Sequence, residues 1–262
     1  MQNRQTITSQ VWFIGAGPGD PELLTIKGHK IISTADLVLY AGSLVPPEVV
    51  SCAKKSAKVL DSASMTLNET HSLLRDCVKA GGIAARVHTG DPGLYGTIKE
   101  QIELLNADGI PYAVVPGVTA SFAAAAAAAV SLTVPEQAQC FTITRMPGRT
   151  PVPASQRVGQ MAKHGGTVAV YLSATEVDKL YKELVAAELP KTTPIIAAYR
   201  VGWPDQKIIR TNIDNLVKDM ANAGHSRQVV FLILPGEDTN TNHAAKRSKL
   251  YDEHFCHGFR AN

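Results

Sequence analysis

VHTGDPGLYG, Val87 to Gly96, ends one kind of structure and begins another. Upstream of it Ile83 to Val87 alternates and branches like the end of a buried strand, and Gly90, Pro92, Gly93 and Gly96 then stop both helix and sheet. Downstream, Lys99, Ile102 and Leu105 outline a helix that Thr97 is placed to cap. Strand, loop and helix in that order are the unit of an α/β protein, and the loop at a strand's carboxyl end is where such folds bind ligands. Asp91 is the loop's lone carboxylate, and the glycines beside it let main chain come close to whatever it binds.

The same alternation runs outward in both directions. Strands are predicted at Val11–Gly15, Leu37–Tyr40, Lys58–Asp61 and Tyr112–Val115, with helices from about Leu23, from Thr66 and over Ile98 to Asn106. Thr66 and Glu69 have capping-box spacing, and so do Ser173 and Glu176. A second series has strands at Cys140–Thr144, Thr167–Leu172, Pro194–Tyr199 and Gln228–Leu234, with helices at Ala154–Lys163, Thr175–Ala187 and Ile213–Ala223. The alternation predicts parallel sheets covered on both faces. The expected fold class is therefore α/β with two lobes, residues 1–118 and 119–262, joined near Pro116 to Ser121.

Composition bounds the function. The 262 residues are 45% hydrophobic and 19% charged, as in an ordinary globular protein. The net charge of +3 is too small to indicate nucleic acid without clustering, and His243, Lys246, Arg247 and Lys249 read as a solvated or interfacial tail. Cys52, Cys77, Cys140 and Cys256 lie far apart with no CxxC pair, so no metal site or disulfide framework is expected and a reducing cytoplasm is. No secretory signal is expected at the N-terminus, whose MQNRQTITSQ has no apolar core, and the alanine-rich run from Ser121 to Val134 is too short for a membrane span.

Four glycine- or proline-bearing loops follow strands: GAGPGDP at Gly15–Pro21, GDPGLYG at Gly90–Gly96, PGVTAS at Pro116–Ser121 and TRMPGRTPVP at Thr144–Pro153. The first is not a dinucleotide fingerprint, because Asp20 stands at the third glycine position and Pro18 and Pro21 delay the helix. In this order the loops resemble those of the tetrapyrrole methyltransferases, over nearly the whole chain from Val11 to Arg260. YAGSLVP, GRTPVP, WPD at Trp203–Asp205 and the tail SKLYDEHFCHGFR are most similar to the branch that methylates C11 of precorrin-4 or its cobalt form in cobalamin synthesis.

The resemblance implies S-adenosylmethionine as cofactor, a cleft between the lobes as the site, and a homodimer. It implies that Pro18, Gly90, Asp91 and Leu94 meet the methionine part of the cofactor, Asp91 near its amino group. Thr119 and Ala120 continue that wall, and Leu172 and Val201 hold the adenine largely through main-chain groups. Relatives that methylate uroporphyrinogen carry an acidic residue where this chain has Ala41 and Gly42, so that substrate is not expected. Methyl transfer from a sulfonium needs alignment more than a strong base, and Tyr95 and His88 are the candidates for accepting the departing proton. Arg145 and Arg149 are the candidates for the ring's carboxylates, which guanidinium groups match best. The alternatives are another methyltransferase of the same fold, acting at another precorrin position or on ribosomal RNA ribose, and a tetrapyrrole carrier without catalysis.

Overall fold

A computed structural model describes residues 8–237, so the basic tail, Cys256 and the SKLYDEHFCHGFR segment lie outside the described residues. Two compact units divide them: residues 8–123 with Arg200–Gln206, and residues 124–199 with 207–237.

The first unit holds β1 (Val11–Gly15), α1 (Ile26–Thr34), β2 (Leu37–Tyr40), α2 (Pro47–Val50), β3 (Lys58–Asp61), α3 (Leu67–Lys79), β4 (Ala84–His88), α4 (Ile98–Ala107) and β5 (Tyr112–Val115). Its sheet has the order β3-β2-β4-β1-β5, and every pair is parallel. β1 reads as an unbroken apolar run because it is buried on both faces. Trp12 and Ile14 pack among Ile31, Ile32, Val38 and Val49. Val11 and Phe13 pack on the other side among Leu39, Leu74 and Leu105. The period-two alternation of a strand thus feeds two separate cores, each roofed by its own helices.

α3 starts where the Thr66 and Glu69 spacing places it, with both halves of the capping box formed. Thr97 does not cap α4. It lies in the left-handed region at φ 48, and its side chain makes no cap bond; Gln101 Nε2 donates to its carbonyl instead, at 3.3 Å. The helix after GAGPGDP begins as a single 3₁₀ turn at Pro21–Leu23, capped by Asp20 through Glu22 N, and α1 follows only from Ile26. Prolines at 18 and 21 explain the delay, since neither has an N–H to give a helix.

α5 (Ala120–Ala128) is shorter than the alanine run from which it is built. Beyond it lie β6 (Phe141–Arg145), α6 (Val158–Ala162), β7 (Thr167–Tyr171), α7 (Val177–Ala186), β8 (Pro194–Tyr199), β9 (Lys207–Asn212), α8 (Leu216–Ala223) and β10 (Val229–Ile233). The second sheet has the order β6-β7-β10-β8-β9. It corrects the expectation of parallel sheets throughout: only β6 and β7 are parallel, and the other three pairings are antiparallel. The cause is that β8 is followed by β9 without an intervening helix, and β9 pairs back on β8 antiparallel. Its sequence KIIRTN carries Lys207 and Arg210 on an edge strand that never alternates cleanly between buried and exposed, so no strand pattern marks it. Leu180, Leu184, Leu216 and Met220 pack on Val168, Val170, Ile195 and Phe231 to make this unit's core.

The second expected capping box is absent. Ser173, fully buried, accepts from Met146 N at 2.9 Å and donates to the Tyr171 carbonyl, and α7 starts four residues later without a side-chain cap. Thr66→Ala should therefore lower the first unit's unfolding free energy by about 1 kcal/mol, read as a lower denaturant midpoint, whereas Ser173→Ala should act by loosening β6 against β7 and leave the helicity of α7 unchanged by circular dichroism.

Candidate functional site

Three loops leave the carboxyl ends of neighbouring strands β4, β1 and β5, and main-chain bonds knit them together. Ala16 N donates to His88 O at 2.7 Å, while Gly17 and Gly90 exchange both of their main-chain bonds, at 2.8 and 3.2 Å. Gly15 faces Gly117 so closely that a Cβ on Gly15 would lie 2.5 Å from Gly117 Cα and N. No side chain fits between the two strands at that level, so glycine is required at both positions. Gly90 itself sits at φ 61.

Asp91 completes the knot. One carboxylate oxygen accepts from Gly93 N at 2.8 Å and the other from Gly117 N at 2.9 Å. The carboxylate that the sequence marks as a cofactor contact is thus first a clamp between the β4 and β5 loops. Each oxygen keeps a second lone pair, so the group can still accept from a ligand. Pro18 is buried in the β1 loop and Leu94 is half-buried in the β4 loop. Thr119 is buried at the exit of the β5 loop, and its carbonyl accepts the first α5 amides, from Phe122 and Ala123. Ala120 is half-buried beside it.

The first unit also takes in the stretch from Arg200 to Gln206, which holds Val201, and here sequence reasoning missed the contact that Trp203 makes. Trp203 Nε1 donates to Pro18 O at 3.2 Å, and Gly19 lies against the indole so tightly that any Cβ would collide with it. Arg200 stacks over the indole at 4.0 Å and pairs with Asp205 at 2.8 Å, while Gly202 N is held by Gln206 Oε1. Val201, between Arg200 at φ 43 and Gly202 at φ 83, is itself buried, so its main chain is what it can offer a ligand. The signal was present in WPD flanked by glycine, but nothing local says which loop a tryptophan will cover.

In the second unit Leu172 follows directly on β7 at φ 54 and is 68% exposed, with the buried Ser173 fixing the turn beneath. Arg145 differs from expectation. Its guanidinium donates to Met146 O, Thr150 O, Thr150 Oγ1 and Pro151 O, at 2.8 to 3.3 Å. It is spent on shaping its own loop, and only Nε remains uncommitted among the described residues. Arg149, at the exposed tip of that loop, has no hydrogen bond or ion pair among the described residues.

His88 also needs correction. Only 6% of it is exposed, and burial, with a smaller effect from Arg86, pushes its imidazole down to about 3. A group that is neutral and nearly non-basic at pH 7 is no proton acceptor. Tyr95, 43% exposed at φ 55, is the candidate that the geometry leaves in place. Among the described residues no cluster of His, Cys, Asp and Glu has the makings of a metal site, and no helix is long and apolar enough to cross a membrane.

The model of the tetrapyrrole (corrin/porphyrin) methylases matches residues 10–217, and the chain belongs to that family. It is 44% identical over 251 residues to the cobalt-precorrin-4 C(11)-methyltransferase of Priestia megaterium, covering 96% of this chain and 97% of that one. The protein of the same name from Methanocaldococcus jannaschii is 42% identical over 251 residues, covering 96% of each. The X-ray structure of a cobalamin biosynthetic enzyme, cobalt precorrin-4 methyltransferase, superposes with a TM-score of 0.84 at 43% identity, over 86% of this chain and 95% of that one.

Asp91→Ala should cost about 2 to 3 kcal/mol of stability, the scale of losing hydrogen bonds to a charged group, measured as a fall in the denaturant midpoint. A midpoint equal to that of the parent would show that the clamp does not hold the loops. His88 predicts a pH effect. Its pKa is near 6.5 in the unfolded chain and about 3 in the fold, so the unfolded state binds the extra proton and the stability present above pH 6.5 is lost as pH falls toward 3. His88→Gln should flatten that loss between pH 7 and 4.5, as seen by urea unfolding at the two values.

Proposed function

We propose that this chain transfers a methyl group from S-adenosylmethionine to C11 of cobalt-precorrin-4. The observation that carries the proposal is the glycine knot at the ends of β1, β4 and β5, found in a chain 42–44% identical over 251 residues to enzymes of that name.

The residues present fit the cofactor. Glycines 15 and 117 leave no room for a Cβ and Gly90 turns at φ 61, so main chain rather than side chain lines the strand ends, which suits a ligand whose zwitterionic end and adenine edges are read by backbone groups. S-adenosylmethionine supplies the methyl group already activated on a sulfonium. Pro18, Gly90, Asp91 and Leu94 hold its methionine part, with the free lone pairs of Asp91 toward the ammonium. Thr119 and Ala120 continue that contact. Val201 offers main chain to the adenine, and Leu172 offers an exposed apolar side chain for its face. In functional terms residues 1–118 carry the substrate and methionine-side loops, and residues 119–262 the adenine side.

Because the leaving group needs no acid, these residues act by alignment and by excluding water. The proton the ring system loses passes through the Tyr95 hydroxyl, whose oxygen accepts it as its own O–H proton goes to water. Arg149 meets a ring carboxylate, and Arg145 shapes the loop that presents it. Gly42, where relatives that methylate uroporphyrinogen carry an acid, donates its N–H to the carboxylate of Asp61 at 2.8 Å. The enzyme works in the cytoplasm as a homodimer.

Incubated with S-adenosylmethionine and each ring, the protein should methylate cobalt-precorrin-4, with cobalt-free precorrin-4 run alongside as the comparison. Calorimetry should show cofactor binding without the ring; a protein that binds the ring but neither binds nor turns over S-adenosylmethionine is a carrier and ends this proposal. Arg149→Ala should raise the KM for the ring by about tenfold, the value of a lost charged pair at ~1.4 kcal/mol per decade, and leave cofactor affinity unchanged.

A further inference from the structure

Arg86 and His88 stand two residues apart on β4, so their side chains leave the same face of the first sheet, the face that carries Phe13 and Leu39. Arg86 Nε donates to Gln101 Oε1 at 3.2 Å, and its Nη1 donates to Leu39 O at 3.3 Å and Ser62 Oγ at 2.7 Å. All three acceptors are neutral. Among the described residues no carboxylate pairs with this guanidinium and Nη2 donates to none of them, and the residue is only half-buried. Burial pulls its pKa down to about 10, so the group is still a cation at neutral pH. Beside it His88 Nε2 is buried and has no hydrogen-bond partner.

Buried charges are ordinarily paired, and buried polar atoms ordinarily bonded, because leaving either alone costs several kcal/mol for an ion and about 1 to 3 for a neutral group. Here a half-buried guanidinium with no anion and a buried imidazole nitrogen with no bond fall together, at the carboxyl half of a parallel strand, three and one residues short of Thr89. A fixed cation with two spare donors next to an imidazole N–H matches one chemical group, a carboxylate, whose two oxygens take one partner each.

We propose that Arg86, assisted by His88, binds a ligand carboxylate at the end of β4. The inference rests on the proposed methyltransfer, in which both ligands carry the group: the ring on its acidic arms and S-adenosylmethionine on its amino-acid end. Arg86 secures it by charge and by Nη2, and His88 adds the second donor while staying neutral. Ser62 and Gln101 position the guanidinium, tying it to the exit of β3 and to α4.

Arg86→Met and Arg86→Lys in the full-length chain test this by calorimetry with S-adenosylmethionine alone and by the KM for cobalt-precorrin-4. Arg86→Met is expected to weaken one of the two ligands about tenfold or more and to leave the other within about twofold, with Arg86→Lys restoring part of the loss. A rise in cofactor Kd assigns the carboxylate to S-adenosylmethionine; a rise in KM alone assigns it to the ring. A folded Arg86→Met protein that changes neither, or both equally, overturns the subsite, because a merely structural arginine would do that. If Arg86→Met does not fold, His88→Leu serves: selective weakening of one ligand supports the subsite, and unaltered affinities overturn it. Wild-type protein that never methylates the ring is a failure of the proposed function instead, and calorimetry with the cofactor still decides its arm of the subsite.

Discussion

The site depends on one steric constraint: β4, β1 and β5 deliver their chains so close together that no Cβ fits between Gly15 and Gly117. Parallel strands are about 4.8 Å apart, and the space above their ends is normally filled by side chains. Here it is filled by main chain, with Gly17 and Gly90 paired as an isolated antiparallel bridge beyond the parallel strands. Asp91 then locks the β4 loop to the β5 loop from the side. Binding groups built from backbone lose little entropy when a ligand arrives, because the sheet has already fixed them.

Rigidity there contrasts with strain nearby. Tyr95 and Thr97 both occupy the left-handed region, which costs non-glycine residues on the order of 1 kcal/mol each. They follow directly on the Asp91 clamp and precede α4, whose first turn is held by Gln101 rather than by a cap. The knot thus fixes one end of the β4 loop and α4 the other, and the strain falls on the residues between them. Trp203 adds a second kind of support, a large flat side chain laid over Gly19 and bonded to Pro18 O, brought in from far along the sequence.

What the sequence made legible follows from this. The strands of the first sheet stand out because β1, β2 and β4 are covered on both faces, and burial writes itself as apolar runs. The glycine loops stand out because closeness demands glycine. The cap at Thr66 is local and was readable, whereas Thr97 and Ser173 offered the same local chemistry and were diverted by their tertiary surroundings, one by left-handed backbone and one by Met146. β9 was unreadable because an edge strand needs no apolar face. Trp203 was readable as unusual but not as a partner of Pro18, since its contact spans 185 residues.

The arginines show most clearly where a sequence argument misplaces chemistry. A loop arginine beside glycine and proline reads as a free recognition group, and a strand arginine between alanine and valine reads as an interruption. The structure reverses their electrostatic states. Arg145 satisfies itself on the carbonyls of its own turn, which a loop can supply because its backbone is not engaged in a ladder. Arg86 sits where the ladder has already consumed the neighbouring main-chain groups, so it finds one carbonyl, a hydroxyl and an amide, and no anion. Its charge is therefore the less compensated of the two, and a carboxylate gains more by pairing with it than with a guanidinium already spent on its own loop.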